Sequence, residues 1–223
     1  MKIVFDAGVI ISFSETCFLP LFQPLKEKLG QFIITRNVKG ECVDNVKKNL
    51  KYSLSALRVS QLIDINVFEV YENDDELQKT TEQVLNLTNN MFYVKKNPLT
   101  IIQAGEAQSL ALLGVSEANY FAVDERTARM IIEQPHGLLD ILKKKYNAET
   151  IRFDQEKYLK FREIIGNVEV VRSVDLLGYA FEQNMVSPEF RNREFLRSAM
   201  YSLKFRGCSA SFEEIEEYAV EFK

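Results

Sequence analysis

Lys2-Ile3-Val4-Phe5-Asp6 is the stretch that decides the architecture: an apolar run that stops on an acid. The same pattern returns as Tyr120-Phe121-Ala122-Val123-Asp124. A short continuous apolar run is what a strand needs when helices cover both faces of its sheet. Phe32-Ile33-Ile34 and Val168 to Val171 read the same way, and Ile65 to Tyr71 and Thr150 to Phe153 read as extended. Helical stretches lie between them. Leu19 to Leu29 begins near Pro20 and closes at Gly30. The lysine-rich Val38 to Leu50 follows, and Leu54, Leu57 and Gln61-Leu62 carry on the helical spacing. Asp74 to Met91 is a polar helix broken by Asn97-Pro98. Gln103 to Leu113 is Ala- and Leu-rich and stops at Gly114, and Glu125 to Glu133 follows the Asp124 strand. Alternating strands and helices predict an α/β chain: a three-layer α/β/α arrangement around a central, mainly parallel sheet.

Beyond Glu133 the spacing predicts helices over Leu138 to Tyr146 and from Asp154, as cap, to Ile165. Further helices are expected from Ser173, as cap, to Gln183, then over Arg191 to Phe205 and Ser211 to Phe222. No repeat, low-complexity stretch or Gly/Ser linker divides the chain. The expectation is a single domain over residues 1–223, with an insertion at 134–166 and a helical C-terminal part at 173–223.

Composition narrows the chemistry. Of 223 residues, 46% are hydrophobic and 27% charged, the mix of a globular protein with a sizeable core. No signal-peptide pattern or long apolar run is present, and the first strand begins almost at Met1, which reads as a complete cytoplasmic chain. Cys17, Cys42 and Cys208 form no CxxC pair, which argues against structural zinc and for reduced thiols. His136 is the only histidine, in the turn-like Pro135-His136-Gly137. One histidine cannot build the usual zinc hydrolase, so catalysis would fall to carboxylates. The net charge of −4 argues against a general nucleic-acid coating protein. It is compatible with a cluster of acids that a cation neutralises.

Ligands of parallel sheets bind at the carboxyl ends of the strands, where Asp6 and Asp124 stand. If the two strands are neighbours, their carboxylates repel unless a cation lies between them, and hard oxygen ligands select Mg²⁺ or Mn²⁺. Each acid alone has a plainer role: Asp6 can cap the following turn, and Asp124 the helix at Glu125. Glu106 lies in Ala104-Gly105-Glu106-Ala107, where an acid in a first helical turn also favours the helix dipole. Glu41 lies in Lys39-Gly40-Glu41-Cys42 among basic neighbours that could pair with it, and Asp44 is its rival one turn on. Arg126 and Arg129 follow Asp124 and suit a substrate phosphate or a structural ion pair. Lys47, Lys48 and Lys51 make a basic face that could meet an RNA backbone or simply be solvated.

These motifs resemble those of the PIN-domain family. Ile3-Val4-Phe5-Asp6-Ala7-Gly8-Val9-Ile10-Ile11 is similar to its opening strand, metal-binding aspartate and first helical turn. Gly105-Glu106-Ala107-Gln108-Ser109-Leu110-Ala111 resembles the third acidic position, in a largely archaeal and bacterial branch. Val123-Asp124-Glu125-Arg126-Thr127-Ala128-Arg129 resembles that branch's acid pair followed by Ala-Arg. Glu41 matches the second acid by position, and Val170 to Ala180 resembles the next strand and helix. The resemblance covers Met1 to Glu133 and resumes near Asn167. It implies a parallel sheet flanked by helices and a metal-dependent ribonuclease acting on single-stranded RNA with Mg²⁺ or Mn²⁺. It also implies Asp6, Glu41, Glu106 and Asp124 as ligands and catalytic residues, and products carrying a 5′-phosphate. Many members are toxins paired with an antitoxin protein, and many form homodimers. Ala7 and Gly8 stand where hydroxyl residues are common, and the insertion lengthens the chain beyond typical toxins.

The alternative is a catalytically inactive PIN-like module that binds RNA or protein. An aspartyl-phosphate phosphatase would need a second aspartate where Gly8 stands, and no Gly-rich fingerprint follows any strand to hold a dinucleotide.

Overall fold

The computed structural model describes residues 1–221. In chain order the elements are β1 (Lys2–Phe5), α1 (Ala7–Glu15), a 3₁₀ turn (Leu19–Leu21), α2 (Phe22–Leu29) and β2 (Gln31–Ile34). Then come α3 (Arg36–Lys39), a π-helical turn (Gly40–Asp44), α4 (Ser53–Asp64), β3 (Phe68–Val70), α5 (Asp74–Asn89), β4 (Phe92–Val94) and β5 (Asn97–Pro98). The chain continues with α6 (Ala104–Val115), β6 (Tyr120–Ala122), α7 (Arg126–Glu133), α8 (Pro135–Lys145), β7 (Arg152–Phe153), α9 (Gln155–Ile165) and β8 (Glu169–Val171). It ends in α10 (Ser173–Glu182), a 3₁₀ turn (Pro188–Phe190), α11 (Arg193–Lys204) and α12 (Phe212–Glu221). The helix expected to reach Phe222 and the domain end at Lys223 run past the described residues.

The central sheet has five strands in the order β3-β2-β1-β6-β8, and every pairing in it is parallel. Strand periodicity sorts the apolar residues into two cores. Ile3, Phe5, Phe32, Ile34 and Ala122 face one side; Val4, Ile33, Phe121 and Val123 face the other. The first side is covered by α1, α2, α4 and the C-terminal helices α10, α11 and α12. Its centre is a phenylalanine cluster, with Phe5 against Phe32 (ring centroids 4.7 Å apart) and Phe22 stacked on Phe13 (4.7 Å). The other side is covered by α5 to α9. This is the three-layer α/β/α arrangement the alternation predicts.

The segment 134–166 belongs to that second layer. Its helix α9 packs against α5 and α6. β7 joins β4 and β5 in a small antiparallel sheet, where Phe153 stacks on Phe92. Thr150 to Phe153 therefore adds nothing to the central sheet. Gly114 sits inside α6 rather than ending it. A Cβ there would stand 2.0 Å from the Ile164 carbonyl oxygen, so glycine lets α9 lie directly on α6.

The helix entry expected after Asp6 opens a full helix, α1 (Ala7–Glu15), with Asp6 as its N-cap. Two further expectations are corrected. The single helix expected over Val38 to Leu50 does not form: α3 ends at Lys39, the π turn follows, and turns run on to Tyr52. Only Val38, Cys42 and Val43 are buried there, too few to hold a long helix against the body. The caps also move: Glu125, not Asp124, caps α7, and Arg172, not Ser173, precedes α10. Asp154 caps α9 as expected, accepting from the Lys157 amide. Among the described residues no helix is long and apolar enough to cross a membrane.

Candidate metal centre

From β1 the chain winds outward through β2 to β3, and the later strands β6 and β8 line up on β1's other side. The order reverses between β1 and β6. In a parallel sheet the crossovers leave that point open at the carboxyl ends, which is where such folds place their ligands. Phe5 pairs with Ala122, and the Asp6 amide donates to the Ala122 carbonyl (2.9 Å). Asp6 and Asp124 therefore leave the sheet on adjacent strands, at the switch point.

Asp6 Oδ2 accepts from the Gly8 amide (3.2 Å), so the capping role is real. That bond does not make it an ordinary cap. Its carboxyl is pushed up to about 6, first by burial and then by the negative charges of Glu41 and Glu106, with the Gly8 bond opposing. Three expected site acids thus feel one another across the pole.

Glu41 arrives through the π turn after β2. Thr35 caps α3 by accepting from the Val38 amide (3.1 Å), and the Asn45 amide bonds back to Gly40, an i to i+5 closure. Asn37 Nδ2 donates to Glu41 Oε1 (2.6 Å). A Cβ on Gly105 would lie 2.6 Å from that Asn37 nitrogen and 3.1 Å from Glu41 Oε1, so the missing side chain at 105 lets Glu41 reach the start of α6. Asp44, its rival, instead lines a surface depression with Arg36 and Lys39. Burial raises the Cys42 thiol, and Asp6 and Glu41 raise it further, which places it beside both.

Glu106 is half-buried and accepts from the Gln103 amide (2.7 Å). Burial raises its carboxyl, Glu125 and Glu41 add to the rise, and Lys145 opposes it. Asp124 is 3% exposed. Its Oδ1 accepts from the Ser173 amide (2.8 Å), which ties β6 to the start of α10, while its Oδ2 is buried with no hydrogen-bond partner. Burial raises this carboxyl, and Ser173, Cys208 and Ser12 lower it. Gly8 lies between the two aspartates: a Cβ there would be 3.4 Å from Asp6 Oδ2 and 4.0 Å from the Asp124 Cβ.

The chain matches no known family model, no curated protein and no solved structure. The site is therefore judged on its own geometry. Hard carboxylate oxygens, on acids raised first by burial and, for Asp6 and Glu106, further by neighbouring carboxylates, fit the donor chemistry of a hard divalent cation. The four acids surround one pole without being closed into a cage: among the described residues, no three His, Cys, Asp or Glu side chains are grouped to hold an ion. Asp6, Glu41 and Glu106 form one set, and Asp124 sits across Gly8 with its own hydroxyl and thiol neighbours.

Arg126 is exposed at the first turn of α7. Arg129 pairs with Glu133 (3.8 Å), and its Nε is buried without a hydrogen bond. Ser173 was legible in the Val170 to Ala180 resemblance, whereas sequence reasoning missed Asn37, Lys145 and the Ser12 and Cys208 neighbours of Asp124. None of these has a local signal, because tertiary packing alone brings them in. Glu125 was legible as the second acid of the Asp124-Glu125 pair.

Proposed function

We propose that this chain is a PIN-like, Mg²⁺- or Mn²⁺-dependent ribonuclease of the cytoplasm that hydrolyses phosphodiester bonds in single-stranded RNA. The observation that supports the reading is Asp6 at the switch point beside Asp124, its carboxyl raised to about 6 first by burial and then by Glu41 and Glu106. Acids brought together at one end of the sheet repel one another, with Asp124 buried, Asp6 and Glu106 half-buried and Glu41 exposed, and a cation there would relieve them. Asp6, Glu41, Glu106 and Asp124 are the residues that would hold the ion. When bound, it would supply Lewis-acid activation of the phosphodiester and of the hydrolytic water. Asn37 orients Glu41, and the Ser173 amide orients Asp124. Arg126 and Arg129 are the candidates to meet a substrate phosphate, with Arg126 the more open of the two. No histidine is needed for this chemistry. An antitoxin or other protein partner and a homodimer are further proposals that rest on the resemblance alone.

A second reading, a binding module for RNA or protein without catalysis, is favoured by one observation: the acids are not grouped into a ligand set. Calorimetry with Mn²⁺ on wild type and Asp124→Asn separates the two. Binding that the variant loses supports the ribonuclease. No binding to either leaves the binding module. Cleavage of a labelled single-stranded RNA, abolished in Asp6→Asn while the fold is retained, is the activity test; full activity in that variant would sink the scheme.

A further inference from the structure

A slot of about 250 Å³ opens next to Glu41, between α1 and α4. Its walls are mainly apolar, built from Ile11, Val46, Tyr52 and Val59. Ser14 is among its lining residues, only 7% exposed, and its Oγ is buried with no hydrogen-bond partner. A hydroxyl inside a helix usually bonds the carbonyl four residues back, or turns to water. Ser14 does neither, and it lines the cavity instead. An unsatisfied donor-acceptor among the lining residues of an apolar slot is placed to read a ligand's polar edge.

The charged groups lining the slot are Glu15 and Glu41, and Lys51 stands beside its Tyr52 wall. Lys47, Lys48 and Lys51 are exposed on the turns before α4, and the Lys51 ammonium lies 4.9 Å from the centre of the Tyr52 ring. Arg206 donates to Glu15, another lining residue, and its charge is felt by Lys51. The slot is at the small end of ligand sites, with room for one flat ring system. Single-stranded RNA is recognised by splaying out bases, placing them against aromatic and apolar walls and reading their edges, while cations hold the backbone.

We propose that the Ser14–Tyr52 slot binds one extruded nucleobase of a single-stranded RNA, next to the acidic pole, and so sets which base neighbours the bound phosphate. This rests on the ribonuclease reading for its meaning, but its binding arm can be measured without cleavage. Ser14 Oγ bonds the base edge, Tyr52 and Val59 flank the ring, and the lysines take the phosphates on the strand's way to Glu41.

The test is fluorescence anisotropy of short labelled A, C and U homopolymers in EDTA, against wild type, Ser55→Trp (which fills the slot), Tyr52→Ala and Ser14→Ala. Ser55 and Tyr52 lie on the surface of the slot, and circular dichroism verifies that the variants are folded. Wild type is expected to prefer one base. Ser55→Trp and Tyr52→Ala are expected to lose about tenfold in affinity, and Ser14→Ala to flatten the preference. The matching free nucleoside monophosphate should bind far more weakly than the oligomer, since it lacks the neighbouring phosphates; equal binding would make the slot a mononucleotide site and overturn the proposal. Equal affinity for all homopolymers, or unchanged binding by Ser55→Trp, also overturns it. Sequencing of Mn²⁺-dependent cleavage products separates the two claims. Cleavage whose neighbouring base is the same in wild type and Ser55→Trp removes the slot and keeps the ribonuclease. Base-selective binding with no cleavage keeps the slot and removes the ribonuclease.

Discussion

Asp6→Asn should make the protein more stable, not less, when divalent cations are chelated at neutral pH. The Asp6 carboxyl rises from 3.8 to about 6 in the fold. Above pH 6 the acid is charged both folded and unfolded, and the folded state bears the whole cost of burying that charge beside Glu41 and Glu106. As pH falls the folded carboxyl takes up its proton first, so the cost shrinks, and below pH 3.8 it is gone. A shift of about two units corresponds to about 3 kcal/mol. Asparagine removes the charge and still caps α1, because Asn and Asp are comparable N-caps. For a chain of this size, each kcal/mol moves the melting temperature by about 2–4 °C. Thermal melts of wild type and Asp6→Asn in EDTA should therefore differ by about 6–12 °C at pH 7.5 and converge near pH 4. Excess Mn²⁺ should close the gap, raising wild type by about 3 kcal/mol at a hundredfold excess over its dissociation constant and leaving the variant unmoved. A variant less stable than wild type at pH 7.5, or a gain that persists unchanged at pH 4, would refute the reasoning: Asp6 would then be a structural cap whose charge the fold tolerates.

Two other substitutions probe the pole and its support. In Gly105→Ala the new methyl meets only the tips of Asn37 and Glu41, which can turn aside, so the melting temperature should move by less than that of a 1 kcal/mol change while Mn²⁺ affinity falls about tenfold; calorimetry showing wild-type affinity would detach Glu41 from the site. In Gly114→Ala the methyl meets the Ile164 carbonyl at 2.0 Å, backbone that cannot turn aside. A loss of about 1–3 kcal/mol in urea unfolding is expected, and an unchanged midpoint would mean that α9 is not held against α6 as described.

The sheet was legible because a strand buried on both faces has to be apolar throughout, and KIVF and YFAV leave no other economical reading. The acids that end them were legible for the same reason, since an acid just past a buried strand can only lie at the sheet's carboxyl edge. α1 was harder. Val9, Ile10, Ile11 and Phe13 are residues that strands favour, and helix formation there depends on the Asp6 cap and on burial against the sheet. The Val38–Leu50 region failed in the opposite direction, since a run of good helix formers promises a helix that only packing could sustain. β4 and β5 are three and two residues long, too short for any periodicity to show, and β7 could be read as extended without its place outside the central sheet being visible. Gly114 was misread because a glycine near a helix end looks the same whether it stops the helix or admits a neighbour. Glu41 could be placed at the pole only by its rank after β2; the Asn37 bond and the glycine gap that locate it are tertiary facts.

The pairing of Ile3 with Tyr120 and of Phe5 with Ala122 has a consequence for how the protein is made. β1 leaves the ribosome well before its neighbour on one side, which is synthesised only after β2, β3 and six helices. A contact of such long range closes late, after the loop entropy of the intervening chain has been overcome. Through about the first half of these residues the nascent chain carries Asp6 and Glu41 without the strand that sets Asp124 opposite them. Whatever chemistry this pole performs is therefore silent until β6 has joined β1, and a fragment ending before Tyr120 would be inert.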